Sequence, residues 1–288
     1  MKICKTFIFL LLSFLSKAQE TKVENIKDST SIIIHKKTRP EAFMLWQVKS
    51  VSEFISRFNY QTYIDGKEMT DSIKNIFPRN HYLMKLFNED DERLMNKKSK
   101  SNYPQNIRQF VESVCESESK ISPKAAIQAT LVLNGNYLGK ATKLKMILEK
   151  TFNLKDSTVS WRIKHIQLPA EIVQKEVAKK TTTPDLKSDT LRTKYKGLYP
   201  NAQDVAFISL VQELNEAKRV LPLVSPQATI TKEITQLENV LQSGDLTIQH
   251  ASNITLKMLI NSRYQIELQE FIREKENSGW LISNLIIH

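Results

Sequence analysis

Ser160-Trp161-Arg162-Ile163-Lys164-His165-Ile166-Gln167-Leu168 and Gly279-Trp280-Leu281-Ile282-Ser283-Asn284-Leu285-Ile286-Ile287 repeat one pattern at an interval of 119 residues. Side chains alternate along a strand. Trp161 and Ile163 therefore share a face, and Ile166 and Leu168 have the opposite parity. Trp280, Ile282, Leu285 and Ile287 make the same switch. One extra residue between the two pairs, a bulge, returns all four apolar side chains to one face. The same break in both stretches predicts a sheet curved around a core.

The match extends outward from these strands. Ile107 to Tyr137 aligns without a gap with Ile234 to Tyr264, at an offset of 127. Ile107 pairs with Ile234, Phe110 with Leu237, Val114 with Leu241 and Ile127 with Ile254. Leu131-Val132-Leu133-Asn134 pairs with Met258-Leu259-Ile260-Asn261, and Tyr137 with Tyr264. Past the tyrosines the offset becomes 119, which pairs Phe152 with Phe271. The order of features reads as a divergent tandem duplication.

Each copy then has one plan. A first helix is expected from the spacing of Val48, Val51, Phe54, Ile55 and Phe58, or of Val205, Ile208, Val211 and Leu214. A second helix covers about 106–118, or 232–242. Three strands follow. The first runs over 126–133 and turns at Asn134-Gly135-Asn136, residue types that tolerate positive φ; the second copy turns at Asn261-Ser262-Arg263. The next strand carries Leu144, Met146 and Leu148, or Ile266 and Leu268. Copy one holds an insertion with two short helices, around Met69 to Phe77 and Tyr82 to Phe87, and a charged stretch from Asn88 to Pro104. The expected class is α+β: two similar domains, 42–169 and 201–288, each with amino-terminal helices packed on a curved antiparallel sheet. A polar extension (19–41) precedes them, and a polar linker (170–200) joins them.

Helices followed by a curved sheet ending in Trp-x-Ile-x-x-Leu-x-Leu/Ile resemble the nuclear transport factor 2-like (SnoaL-like) cone fold. The resemblance rests on the two stretches quoted first and covers about 42–169 and 201–288. It implies a cone that serves as a ligand pocket. Some members of that superfamily are isomerases, dehydratases or hydrolases with an Asp, His or Tyr inside the cone, and many others only bind or assemble. Fold alone does not choose between these.

The amino terminus addresses location. Lys2 and Lys5 precede an apolar run, Phe7 to Leu15, and small residues Ser16 and Ala18 stand before Gln19. These are the three parts of a cleavable secretory signal, expected at 1–18. The run is too short for a membrane span, which takes roughly 20 residues. No later stretch approaches that length. The ending resembles signals of one group of Gram-negative bacteria, so an exported protein is expected, periplasmic or at the outer membrane or cell surface. Asp28-Ser29-Thr30, Asp71-Ser72-Ile73, Asp156-Ser157-Thr158 and Asp189-Thr190-Leu191 look like that group's O-glycosylation tripeptides, with acceptors Ser29, Ser72, Ser157 and Thr190 in loops or linkers. The liking of Asp, Ser and Thr for turns is the competing explanation.

Loss of Lys2, Lys5 and Lys17 with the signal lowers the formal charge from +11 to +8. The basic clusters (Lys97, Lys98, Lys100; Lys179, Lys180, Lys187, Arg192, Lys194, Lys196) lack the series of alternating aromatic residues that a base-stacking platform uses, so nucleic acid is not expected. An envelope protein, a polysaccharide or a small apolar ligand is. Cys115 is the single cysteine beyond the signal, so neither an internal disulfide nor a cysteine zinc site is available there. There is no Gly-rich phosphate loop, Ser nucleophile motif or paired metal-ligand spacing, and no cofactor or metal is expected. The remaining acid/base candidates are His81, Asp65 and Tyr82, an array that a SnoaL-like enzyme in the first domain would need. Tyr60, Tyr63, Trp161 and Trp280 are the candidates for lining a pocket. The leading expectation is non-catalytic binding of a ligand or partner through tandem cones.

Overall fold

The computed structural model describes residues 46–95, 101–122, 124–153, 158–173, 197–273 and 277–288. The signal segment, the amino-terminal extension, most of the linker and Ser29, Ser157 and Thr190 lie outside them. The first half contains β1 (Gln47–Val48), α1 (Val51–Phe58), α2 (Asp71–Ile76), α3 (Arg79–Met84), α4 (Glu92–Met95), α5 (Tyr103–Glu116), β2 (Ile127–Tyr137), β3 (Lys140–Asn153) and β4 (Thr158–Gln167). The second contains α6 (Ile208–Glu216), α7 (Lys232–Gln242), β5 (Leu246–Leu259), β6 (Tyr264–Phe271) and β7 (Ser278–Ile287).

The class is α+β. The seven strands make one sheet in the order β1-β7-β6-β5-β2-β3-β4. β2 and β5 pair antiparallel at its centre, from Ile127 opposite Met258 to Tyr137 opposite Leu246. The described residues fall in one compact unit with a single apolar core. Both halves contribute strands to this one sheet, because the first-strand edges of the two halves satisfy each other's backbone groups.

The layer above the sheet is exchanged between the halves. Phe87, ahead of α5, bridges to Ile282 on the last strand of the second half. Val224, ahead of α7, bridges to Ile163 on the last strand of the first. Phe110 on α5 meets Tyr264 edge to face at 5.2 Å, and Phe207 meets Trp161 at 5.4 Å.

The expected bulges are present. The β3–β4 register passes from Ile147 opposite His165 to Leu148 opposite Ile163, leaving Lys164 over. The β6–β7 register passes from Glu267 opposite Asn284 to Leu268 opposite Ile282, leaving Ser283 over. Trp161, Ile163, Ile166, Leu168, Trp280, Ile282 and Leu285 are all buried. Ile287 is the exception and stays partly exposed at the end of β7.

Four local expectations change. Val48 is not the start of α1; it belongs to β1, which pairs in parallel with Ser278 and Gly279. Ser50 caps α1 instead, accepting from the Glu53 amide at 3.1 Å. Asn134-Gly135-Asn136 is not a turn. The strand runs on to Tyr137 and turns at Leu138-Gly139, both with positive φ. Gly135 is there because β5 passes so close that a Cβ would lie 2.5 Å from the Thr247 carbonyl oxygen. The tyrosine pairing also shifts: Tyr137 ends β2, whereas Tyr264 opens β6. Finally, Val205 and Ile208 are exposed and α6 buries Leu210 and Leu214. Ala206 and Phe207 are both left-handed and reset the helical phase just before α6.

Candidate functional site

The acid/base candidates gather near α3 but form no relay. Asp65 sits in a turn, exposed, with its carboxylate on the Lys67 amide at 3.0 Å and on the Lys67 ammonium at 3.0 Å. The amide hydrogen bond chiefly holds its carboxyl below the ordinary range. His81 is exposed on α3, and among the described residues its ring has no hydrogen bond to a carboxylate. Tyr82 is buried and donates its hydroxyl to the Thr62 carbonyl at 2.7 Å. Burial pushes that hydroxyl well above its usual value, so it stays a donor and serves no base.

Tyr60 and Tyr63 are tied into the same layer. The Tyr60 ring stands edge-on to Tyr82 at 5.8 Å, and its hydroxyl donates to the Phe77 carbonyl. Tyr63 lies 5.5 Å from Phe77. Burial raises both phenols. These contacts lock the loop after α1 onto α2 and α3.

The two tryptophans do not line an open cone. Trp161 is fully buried and its indole N–H donates to Gln203 Oε1 at 2.8 Å and to the Pro200 carbonyl at 3.1 Å. Trp280 is 1% exposed; it backs a shallow depression of about 360 Å³ with Ser252, Asn253 and Gln269 at its rim. The space between helices and sheet is filled by side chains, including Phe54, Phe58, Phe110 and Tyr264. Ser72, the described glycosylation candidate, is exposed, but on the first turn of α2 and not in a loop.

A concave feature with exposed apolar walls lies in the helical layer. A groove of about 880 Å³ is lined entirely by residues between Trp46 and Arg108, none from β2 to β7. Its floor is Tyr82 and Phe87, both buried. Its walls are Ile76, Met84 and Met95, exposed by 71%, 37% and 61%. His81 and Lys85 are one turn apart on one side, and Arg108 stands on α5. The Lys85 ammonium pairs with Glu89 at 2.5 Å and lies 5.7 Å from the centre of the Trp46 ring.

Asn277 holds this groove to the sheet. It is 1% exposed and donates to the carbonyls of Lys85 at 2.8 Å and Phe87 at 2.6 Å. Its Oδ1 accepts from the Glu89 amide at 3.3 Å. Arg93 fixes α4 in the same way. It pairs with Asp91 at 2.6 Å, donates to the Ser283 carbonyl in the β7 bulge at 2.8 Å, and lies 3.7 Å over the Tyr103 ring.

The chain matches no family model, no curated protein and no solved structure. The geometry alone therefore describes the site. Among the described residues no group of three or more His, Cys, Asp or Glu side chains is placed to hold a metal ion, and no helix is long and apolar enough to cross a membrane. Cys115 is free and half-buried, and burial raises its thiol pKa. Of the groove residues, sequence reasoning found His81 and Tyr82 and missed Trp46, Met84, Lys85, Met95 and Arg108. The one local signal was the one-turn spacing of His81 and Lys85.

Proposed function

We propose that this is an exported, non-catalytic binding protein of a Gram-negative cell envelope, built from a divergent tandem of cone-like repeats, and that its ligand site is the groove of the helical layer. The observation that carries the reading is the exposure of Ile76, Met84 and Met95 around one concavity. Large apolar side chains gathered on one exposed surface mark binding sites. The signal-like amino terminus supports export, and the matched bulges of β4 and β7 support the tandem and the cone-like ancestry. The glycosylation tripeptides fit the same envelope setting.

An enzymatic reading needs a charged or titratable group turned toward a cavity and aided by a neighbour. Asp65 is already bound by Lys67, and the Tyr82 hydroxyl by Thr62. In the groove, Lys85 and Glu89 are closed on each other as an ion pair.

Intact mass spectrometry of the protein from its native host tests this. Under denaturing conditions a mass beginning at Gln19, with or without sugar increments, is expected. Under native conditions an additional small-molecule mass is expected. An unprocessed chain would remove the export reading, and a bare native chain would remove the ligand-binding one.

A further inference from the structure

Resting on the groove as the ligand site, we propose that its ligand is a single-chain amphiphile with an anionic head, a long-chain carboxylate. The walls argue for the tail. Met84 and Met95 are unbranched and flexible, suited to an irregular apolar chain, and Ile76 faces the same space. The floor of Tyr82 and Phe87 is rigid, because Tyr82 is hydrogen-bonded and Phe87 is clamped to Ile282 and beneath Asn277.

The rim argues for the head. Its cationic side chains are Lys85 and Arg108, and its one acid, Glu89, is engaged by Lys85. Arg108 is exposed, and among the described residues no carboxylate pairs with it. A guanidinium beside an apolar trough binds a carboxylate in a fixed geometry and repels a cationic head.

Size favours a small molecule over a protein partner. A volume of about 880 Å³ falls in the range of small-ligand sites, roughly 300–1,000 Å³. A stable protein interface takes about 800 Å² per partner. The apolar exposure here is a few side chains around one trough. The sheet face away from the core carries polar side chains such as Gln128, Thr130 and Gln269, all half-buried.

The test uses the full mature chain and calorimetric titration with three probes below their micelle concentrations: dodecanoate, dodecyltrimethylammonium and acetate. Dodecanoate is expected to bind once per chain, acetate not at all, and the cationic detergent at least about tenfold more weakly than dodecanoate. Arg108→Glu is expected to weaken dodecanoate about tenfold, and Arg108→Gln by less, with the melting temperature unchanged because the side chain is exposed. Met84→Asp is expected to abolish binding. Equal binding of the two detergents would overturn the anionic head and leave the groove as the site. Binding of dodecanoate that neither Arg108→Glu nor Met84→Asp disturbs would overturn the groove itself. No binding of either dodecyl probe would overturn both.

Discussion

The Ser225 amide donates to the Ile163 carbonyl at 2.8 Å, joining the approach to the second half's long helix to the first half's last strand. The reverse join is equally short: Ile282 donates to Leu86 at 2.8 Å and accepts from Asn88 at 3.0 Å. Each half thus supplies the cover for the other's outer strand. The backbone groups of β4 and β7 would otherwise face water as bare edges.

A fragment comprising 19–173 is therefore expected not to fold alone. It would lack Phe207 and Gln203, which meet Trp161, and Val224, which bridges to Ile163, and its β2 edge would lack β5. Circular dichroism should show no cooperative thermal transition for it, nor for 197–288, and a transition on mixing or co-expression. A cooperative melt of either fragment would restore the picture of two independent domains.

Gly279 tests the β1–β7 join. Its φ is +83°, and a Cβ there would lie 2.0 Å from the Val48 carbonyl oxygen. Gly139 has a similar φ of +81° and open space around it. Gly139→Ala is expected to cost about 1 kcal/mol, the left-handed strain alone. Gly279→Ala adds a backbone collision that no side-chain rotation relieves and is expected to cost at least about 3 kcal/mol. Urea denaturation of the two variants measures the difference. Equal losses would mean that β1 is not held against β7 as described.

The fold was legible where apolar spacing reports burial directly. The parity switch from Trp161 and Ile163 to Ile166 located a bulge because burial on one face leaves no other arrangement. It was illegible where a distant segment sets the constraint. Gly135 reads as a turn glycine, since nothing nearby in sequence announces Thr247 across the β2–β5 seam. Val205 and Ile208 read as one stripe with Leu214, because the left-handed pair Ala206-Phe207 has no signature in residue type. The groove was harder still. Trp46, Met84, Met95 and Arg108 are scattered over 63 positions of the chain, and only the packing of α2 to α5 collects them.

Asn277 links that packing to the site. Its side chain serves two carbonyls and one amide of the segment from Lys85 to Glu89. Removing it leaves the buried Phe87 carbonyl and two part-buried groups without this partner, a loss of roughly 2–4 kcal/mol. Asn277→Ala is expected to lower the urea midpoint and also to weaken groove binding, because the backbone carrying Lys85 and Phe87 loses its anchor. Retained dodecanoate affinity at full folding would show that the anchor does not shape the groove.

Tyr103 governs stability at high pH. Burial pushes its phenol up to about 12, with the Arg93 guanidinium above the ring acting in the opposite direction. An unfolded tyrosine ionises near pH 10. The folded value is the raised one, so the protonated form favours the fold. That contribution is complete below about pH 10 and is lost as pH rises toward about 12. Tyr82, also raised by burial, acts in the same direction. Urea midpoints measured from pH 8 upward are expected to fall in this window. Tyr103→Phe should flatten part of that fall, by on the order of 2 kcal/mol, while costing a smaller constant amount at neutral pH. A fall of the same steepness in the Phe variant would mean that Tyr103 already ionises freely in the folded protein, and that the α4 and α5 helices do not shield it.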